Sequence, residues 1–311
     1  MYLRSSFFDR VQTTFQHFLR RLWQTPLLLC WLLIGPVIAL FINGWIGLAF
    51  GMINILLLGV YAVFIRWMTP NTPSPTQIKH PRLELAFALS LFGLILLIQL
   101  FDFDVWTIQP WHDWVRSFFI QVYLRVENFG VIPNWARNDV FLAVSSTIKQ
   151  LIPTLLVFWS LGYPRGDIGF IRPHWKLTSG LVAATAVFGL ATSVLLRAPW
   201  IEVLGLYSIG IFINALPEEV FFRGLLLPRL ERFFANPLNA LVVSALLFNA
   251  IHIPIMMSNG STFLIAVLKI FSIGYPSGLI WGYLYLRTRS ILPGVFWHAA
   301  NGNFGYILMN T

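Results

Sequence analysis

The chain has 311 residues, of which 57% are hydrophobic and only 11% charged. Soluble domains carry roughly a quarter charged residues, so most of this chain cannot face water. The formal charge of +9 is spread singly between apolar runs rather than gathered into a stripe, which argues against a nucleic-acid partner. Cys30 is the only cysteine, so an intrachain disulfide and a Cys-based metal cage are both excluded.

Residues 1–23 place Phe7, Val11, Phe15, Phe18 and Trp23 at helical spacing among Arg4, Arg10, Arg20 and Arg21, the pattern of an amphipathic helix lying in the interface. This basic stretch is too long to read as a cleavable signal. No charge then appears between Arg21 and Arg66, which leaves room for two spans with Asn43-Gly44 as the turn between them. These spans are expected at about 24–42 and 46–66, and a third at about 83–101. The interval from Asp102 to Asp139 is polar but carries Trp106, Trp111, Trp114, Phe118 and Phe119, which suits a helix at the membrane surface. Six more spans fit at about 140–161, 178–196, 203–222, 238–257, 263–286 and 291–309. The expectation is an all-α, polytopic transmembrane bundle of about nine spans, divided into the interfacial helix 1–23, the N-terminal spans and aromatic segment 24–139, and a C-terminal core 140–311.

Loops on the cytoplasmic side are enriched in Lys and Arg. With the N-terminus cytoplasmic, the inner segments hold fifteen of the 21 basic residues and the outer segments only Arg116, Arg125, Arg137 and Arg197. The remaining two, Lys149 and Lys269, fall inside spans, where each can snorkel, pair with an acid or line a cavity.

Charged groups at mid-bilayer cost at least ~2.5 to 3.5 kcal/mol on insertion scales, so they face partners or cavities. In N-A-L-P-E-E-V-F-F-R, Glu218 and Glu219 point about 100° apart, while Glu219 and Arg223 are four apart and share a face. Glu219 can pair with Arg223, which leaves Glu218 free. An unpaired carboxylate in dry surroundings takes up a proton more readily, as a general base must. The plain structural alternative is an ion pair near the end of the span. Further on, F-N-A-I-H sets Phe248 and His252 on one face, and H-A-A-N-G-N sets His298 and Asn301 on one face while Asn303 turns away. Each of these polar residues taken singly fits a helix-to-helix hydrogen bond as well as a reaction. Together they supply a base, a partner for water and oxyanion donors, the parts of an amide hydrolase. Glycines 274, 278 and 282 form a small-residue stripe for close helix approach.

The ordered series E-E-x-x-x-R (Glu218, Glu219, Arg223), F-x-x-x-H (Phe248, His252) and H-x-x-N resembles the motifs of the CPBP intramembrane proteases, the CAAX-processing and bacteriocin-immunity group that includes Rce1-like endopeptidases. The stretch from Gly282 to Asn301 is similar to that family's last hairpin, and G-D-I-G-F-I-R-P is similar to a loop of its bacterial members, so the resemblance covers about residues 140–310. It implies an intramembrane endopeptidase in which Glu218 activates water with His252, while His298 and an Asn hold the oxyanion. Rce1-like enzymes place that Asn four residues after the His, where this chain has Gly302. Asn301, three residues after, is the residue chosen here.

The family has been called metalloproteases, and Glu218, His252 and His298 would be the Zn²⁺ ligands if a metal took part. The sequence has no H-E-x-x-H, and the preferred expectation is a metal-free glutamate mechanism without cofactor. The expected partners are a peptide or membrane-protein substrate and the lipid bilayer. The expected location is a multi-pass place in a bacterial-type plasma membrane, with an organelle membrane as the other setting. Two non-enzymatic readings compete: a multi-pass scaffold or immunity protein, and a transporter with a proton-relay carboxylate. No repeated halves of the kind common in transporters are visible, and the ionisable residues crowd into the C-terminal third.

Overall fold

The structure, a computed structural model, describes residues 24–69, 71–130, 132–133, 136–171, 174–196, 200–273 and 276–310. The expected interfacial helix 1–23 and the first stripe glycine, Gly274, lie outside the described residues. Among the described residues the regular structure is helical throughout, without strands. Five helices among the described residues are long and apolar enough to cross a membrane.

The first helical segment, α1 (Pro26–Met68), consists of two arms that reverse at Asn43 and Gly44. Gly44 has φ +63° and ψ −153°, a backbone state that residues with a Cβ rarely adopt. The reversal is tight. A Cβ on Gly47 would fall 2.1 Å from the Ala39 carbonyl oxygen, and one on Gly51 would fall 3.3 Å from Pro36 Cα. Residues fifteen apart on one straight helix stand ~22 Å apart, so the arms run back along each other. The Asn43-Gly44 turn thus sits where the sequence places it.

Next come α2 (Pro81–Asp102) and α3 (Trp111–Glu127), the latter in the aromatic interval. A continuous helix α4 (Arg137–Ser160) follows, with a π-helical stretch at Thr147–Leu151. After a 3₁₀ turn at Arg165–Ile168, α5 spans Trp175–Leu196. The sixth helix, α6, runs over 200–234 and is π-helical at Ile211–Ala215 and Glu219–Leu226. Pro217 has no N–H to offer the carbonyl four residues back, and the wider π turns lie on either side of it. The remaining helices are α7 (Pro237–Ala250), α8 (Ile253–Ser258), α9 (Phe263–Phe271), α10 (Ser277–Thr288) and α11 (Leu292–Asn310).

Three boundaries differ from the sequence expectation. The sixth helix continues eleven residues past Arg223 to Phe234, so Arg229 and Arg232 sit on it rather than in a loop. The expected span 238–257 corresponds to the apolar stretch Pro237–Ser258, but a turn at Ile251 and His252 divides it into α7 and α8. The expected span 263–286 is two helices, α9 and α10, separated at Ser272–Pro276. Hydropathy alone cannot place these points, because the sixth helix continues through the polar Arg229, Glu231 and Arg232, while the other two interruptions fall inside mostly apolar stretches.

One buried apolar cluster joins the two halves of the chain, from Trp31, Leu85, Leu91 and Ile95 to Phe221, Leu225, Phe248 and Ala299. A buried ion pair reinforces the joint: Arg229 Nη2 lies 2.9 Å from Glu84 Oε2, and the Tyr163 hydroxyl donates to Glu84 Oε1 at 2.6 Å. Removing one member of such a pair leaves an uncompensated buried charge, which costs about 3–5 kcal/mol. Arg229 therefore serves as a buried tether. Arg289 is likewise held by both carboxylate oxygens of Glu231, at 2.5 and 3.0 Å.

Candidate active site

The site forms where α6 and α11 meet, with α7 and α10 against them. On α6, Glu219 and Arg223 are four residues apart and both almost fully buried, with Glu219 Oε1 3.2 Å from Arg223 Nη1. Arg223 Nη2 donates to the Gly278 carbonyl at 3.2 Å, and its guanidinium lies 4.6 Å from the Phe248 ring centre. A Cβ on Gly278 would press to 3.2 Å from Ala245 and Phe248, so the small residue brings that carbonyl within reach. The stripe glycine thereby carries a polar contact that its spacing alone did not reveal.

Opposite, His298 on α11 lies between the two carboxylates. Its Nδ1 is 3.3 Å from Glu219 Oε1, and its Nε2 is 3.6 Å from Glu218 Oε2. Glu219 thus bridges Arg223 and His298 instead of serving Arg223 alone. Gly294, one helical turn before His298, makes room for that bridge, because a Cβ there would stand 2.8 Å from Glu219 Oε2. Trp281 of α10 stacks on the His298 ring at 3.7 Å between centres and 21° between planes. Neither Trp281 nor Gly294 was singled out in the sequence, since their roles appear only when α10 and α11 pack on α6.

Glu218 is buried, and its Oε2 accepts no hydrogen bond from a described residue. The pairing of Glu219 with Arg223 leaves Glu218 without a cation in hydrogen-bond range among the described residues, and His298 Nε2 stands 3.6 Å from its Oε2. His252 is half-buried, with Nδ1 3.0 Å from the Phe248 carbonyl. A carbonyl can only accept, so Nδ1 carries the hydrogen in the neutral ring and Nε2 keeps its lone pair. The Phe248 ring lies 5.3 Å from His252 and 5.9 Å from His298, so both imidazoles pack near one aromatic ring. Asn301 is exposed and lines a neighbouring cavity. The side chain of Asn303 lies outside the described ones.

A metal would need three converging donors. Among the described residues no group of three His, Cys, Asp or Glu side chains has that arrangement. Glu218 and His298 approach each other, but His252 does not complete a set with them, so no step is derived through a metal.

The neighbouring cavity has a volume of about 260 Å³ and is lined by Asn54 and Tyr61 of α1, Ser277 and Trp281 of α10, and Trp297 and Asn301 of α11. Its wall shares Trp281 with the His298 stack. The two lysines left open by the sequence are also placed: Lys149 pairs with Asp102 at 2.5 Å, and Lys269 donates to the Ser261 hydroxyl at 3.0 Å.

Residues 199–304 match the sequence model of the type II CAAX prenyl endopeptidase Rce1-like family. Over this stretch, about a third of the chain, the sequence is similar to that family. The match contains Glu218, Glu219, Arg223, His252, His298 and Asn301, and it begins after the G-D-I-G-F-I-R-P turn and all of α1 to α5. No curated protein and no solved structure matches the chain. The matched family is one of endopeptidases, and among the described residues five helices are long and apolar enough to cross a membrane. The turn before α5 nonetheless docks on the matched segment: Ile291 N–H donates to the Gly169 carbonyl at 3.1 Å, and a Cβ on Gly224 would meet the Ile168 carbonyl at 2.6 Å.

Proposed function

We propose that the chain is an intramembrane endopeptidase that hydrolyses a peptide bond with a water activated by Glu218, without a metal or other cofactor. The observation that carries this reading is the division of labour between adjacent carboxylates. Glu219 is committed to Arg223 and His298, while Glu218 Oε2, 3.6 Å from His298 Nε2, has no hydrogen-bond donor among the described residues. A buried carboxylate of this kind is suited to accept a proton from water.

In the proposed reaction Glu218 takes one proton from water, and the lone pair on His252 Nε2 accepts the other O–H to orient it. The hydroxide attacks the substrate carbonyl carbon. Negative charge then gathers on the carbonyl oxygen, where the Asn301 carboxamide and the Nε2–H of protonated His298 act as donors. Collapse breaks the C–N bond, and the proton held by Glu218 passes to the leaving amine. Glu219 and Arg223 fix the π-helical turn that follows Glu218 and, through His298 Nδ1, the orientation of the imidazole.

The substrate proposed is a peptide or a membrane-protein segment, with the bilayer as the second partner and no nucleic acid. We place the chain in a bacterial-type plasma membrane with about nine spans and a cytoplasmic N-terminus. The Lys and Arg bias between alternate loops supports this, as does the two-armed α1.

The deciding experiment replaces Glu218 with Gln in the full chain reconstituted in proteoliposomes. The change keeps size and removes the base, so turnover of membrane peptides is expected to fall by about 10²–10⁴-fold. Undiminished cleavage refutes the mechanism. Ion flux, or partner binding without cleavage by the wild type, favours the transporter or the scaffold instead.

A further inference from the structure

We infer that Asn54 and Tyr61, on the second arm of α1, form one wall of a peptide-binding subsite beside the reacting groups and select which residue flanks the scissile bond. The inference rests on the hydrolytic reading of the same site. Both residues lie far outside the 199–304 match, so the subsite is built partly from a segment that the family match does not reach. They face the cavity of about 260 Å³ together with Ser277, Trp281, Trp297 and Asn301. Two of these connect it to the chemistry. Trp281 stacks on His298, and Asn301 is the proposed oxyanion donor.

The lining suits an uncharged stretch of peptide. Two carboxamides and two hydroxyls can satisfy the N–H and C=O groups of an extended backbone where water is scarce. Two indoles supply an apolar wall for a side chain. No charged side chain lines the cavity. Its volume lies below the about 300–1,000 Å³ of pockets that hold drug-sized ligands, so it fits one or two residues.

The wall is fixed in place rather than pendant. Asn54 Nδ2 donates to the Ile273 carbonyl at 3.0 Å, which leaves its Oδ1 to accept from a ligand amide. Tyr61 packs edge-on against Trp297 at 5.0 Å. The opposite arm grips the same stretch, with Trp31 Nε1 donating to the Phe271 carbonyl at 2.8 Å. These carbonyls end α9 and precede α10, so the break in the expected eighth span gives the hairpin its purchase.

The test uses the purified full chain in nanodiscs and, as probe, a pool of N-acetylated hexapeptide amides of varied sequence. Cleavage sites are read by mass spectrometry for wild type, Asn54→Ala, Asn54→Gln, Tyr61→Ala and, as a control on the exposed part of the hairpin, Trp45→Ala. The Asn54 and Tyr61 variants are expected to raise KM about tenfold with kcat changed less than about threefold, the signature of lost uniform binding. They should also shift residue preference at one position beside the cleaved bond, with Asn54→Gln intermediate and Trp45→Ala like wild type. A general structural loss would lower kcat without changing preference. In parallel, p-benzoylphenylalanine replaces Tyr61 in the Glu218→Gln background, and saturable photolabelling by the pool is expected there but not at position 45. Unchanged preference, or no labelling at 61, overturns the inference. Labelling at 61 by a chain that cleaves nothing supports the subsite and refutes hydrolysis.

Discussion

Replacing Glu219 with Gln tests whether the second carboxylate holds the site together or takes part in the chemistry. Glu219 is fully buried, Arg223 is 1% exposed, and their charged atoms stand 3.2 Å apart. At an effective dielectric of about 20, two unit charges at that distance attract by about 5 kcal/mol. Deleting one side strands the other, and such losses run to about 3–5 kcal/mol. Arg223 would keep the Gly278 carbonyl and the Phe248 and Trp281 rings, which solvate a cation only in part. The expected loss is therefore about 3–5 kcal/mol, measured by SDS titration of the purified chain in mixed micelles. Changing Arg223 to Met as well removes the stranded charge, and the double variant should regain at least half of that loss. Glu218→Gln, which strands no cation, should stay within about 1 kcal/mol of wild type while losing turnover. A Glu219→Gln variant as stable as wild type would refute the bridging role.

Gly294→Ala should cost about 1–3 kcal/mol and lower turnover, because its Cβ would meet a Glu219 carboxylate pinned on two sides. Gly180→Ala, with open space around it on α5, is the control and should leave the same SDS titration midpoint unchanged or higher. Glu84→Gln should lose about 3–5 kcal/mol in that titration and Glu84→Gln with Arg229→Met much less, because both groups are buried against each other. Equal losses would show that the pair does not tether α2 to α6.

The end of α2 gives a pH prediction. The hydrogen bond that His112 donates to Asp104 raises His112 above its ordinary value of 6.5, and the same bond lowers Asp104 below 3.8. The contribution of His112 is complete below pH 6.5 and is lost as pH rises through its elevated value, while that of Asp104 is lost as pH falls through its depressed one. Amide hydrogen exchange in Trp111–Glu127, corrected for intrinsic rates, should show α3 better protected at about pH 6 than at about pH 8.5. Protection that is equal at both values, or a difference that survives His112→Asn, would sink this account.

Local signals carried much of the architecture. Apolar runs marked the helices, and Asn43-Gly44 marked the reversal of α1 because Gly accepts the positive φ that the turn requires. The four-residue spacing brought Glu219 to Arg223, and the motif order pointed to the family whose model matches residues 199–304. Boundaries were less legible. Ser272, Gly274 and Pro276 are local signals that a helix can end there, but in a membrane core it is the packing of neighbouring helices, here Trp31 and Asn54 taking up freed carbonyls, that permits a break. Arg229 reads in sequence as a loop cation because its partner Glu84 lies 145 positions away.

What the chain alone determined is whatever depends on neighbours within about one helical turn: which stretches are apolar, where a turn is cheap, and which acidic and basic groups share a face. The tertiary structure decided which of those faces meet. His298 between Glu218 and Glu219, Trp281 on the imidazole, Gly294 against a carboxylate and Asn54 with Tyr61 on the cavity wall are all contacts between separate helices. Helix periodicity fixes the direction of a side chain about its own axis, but the rotation and separation of two helices are set by the packing of every residue between them.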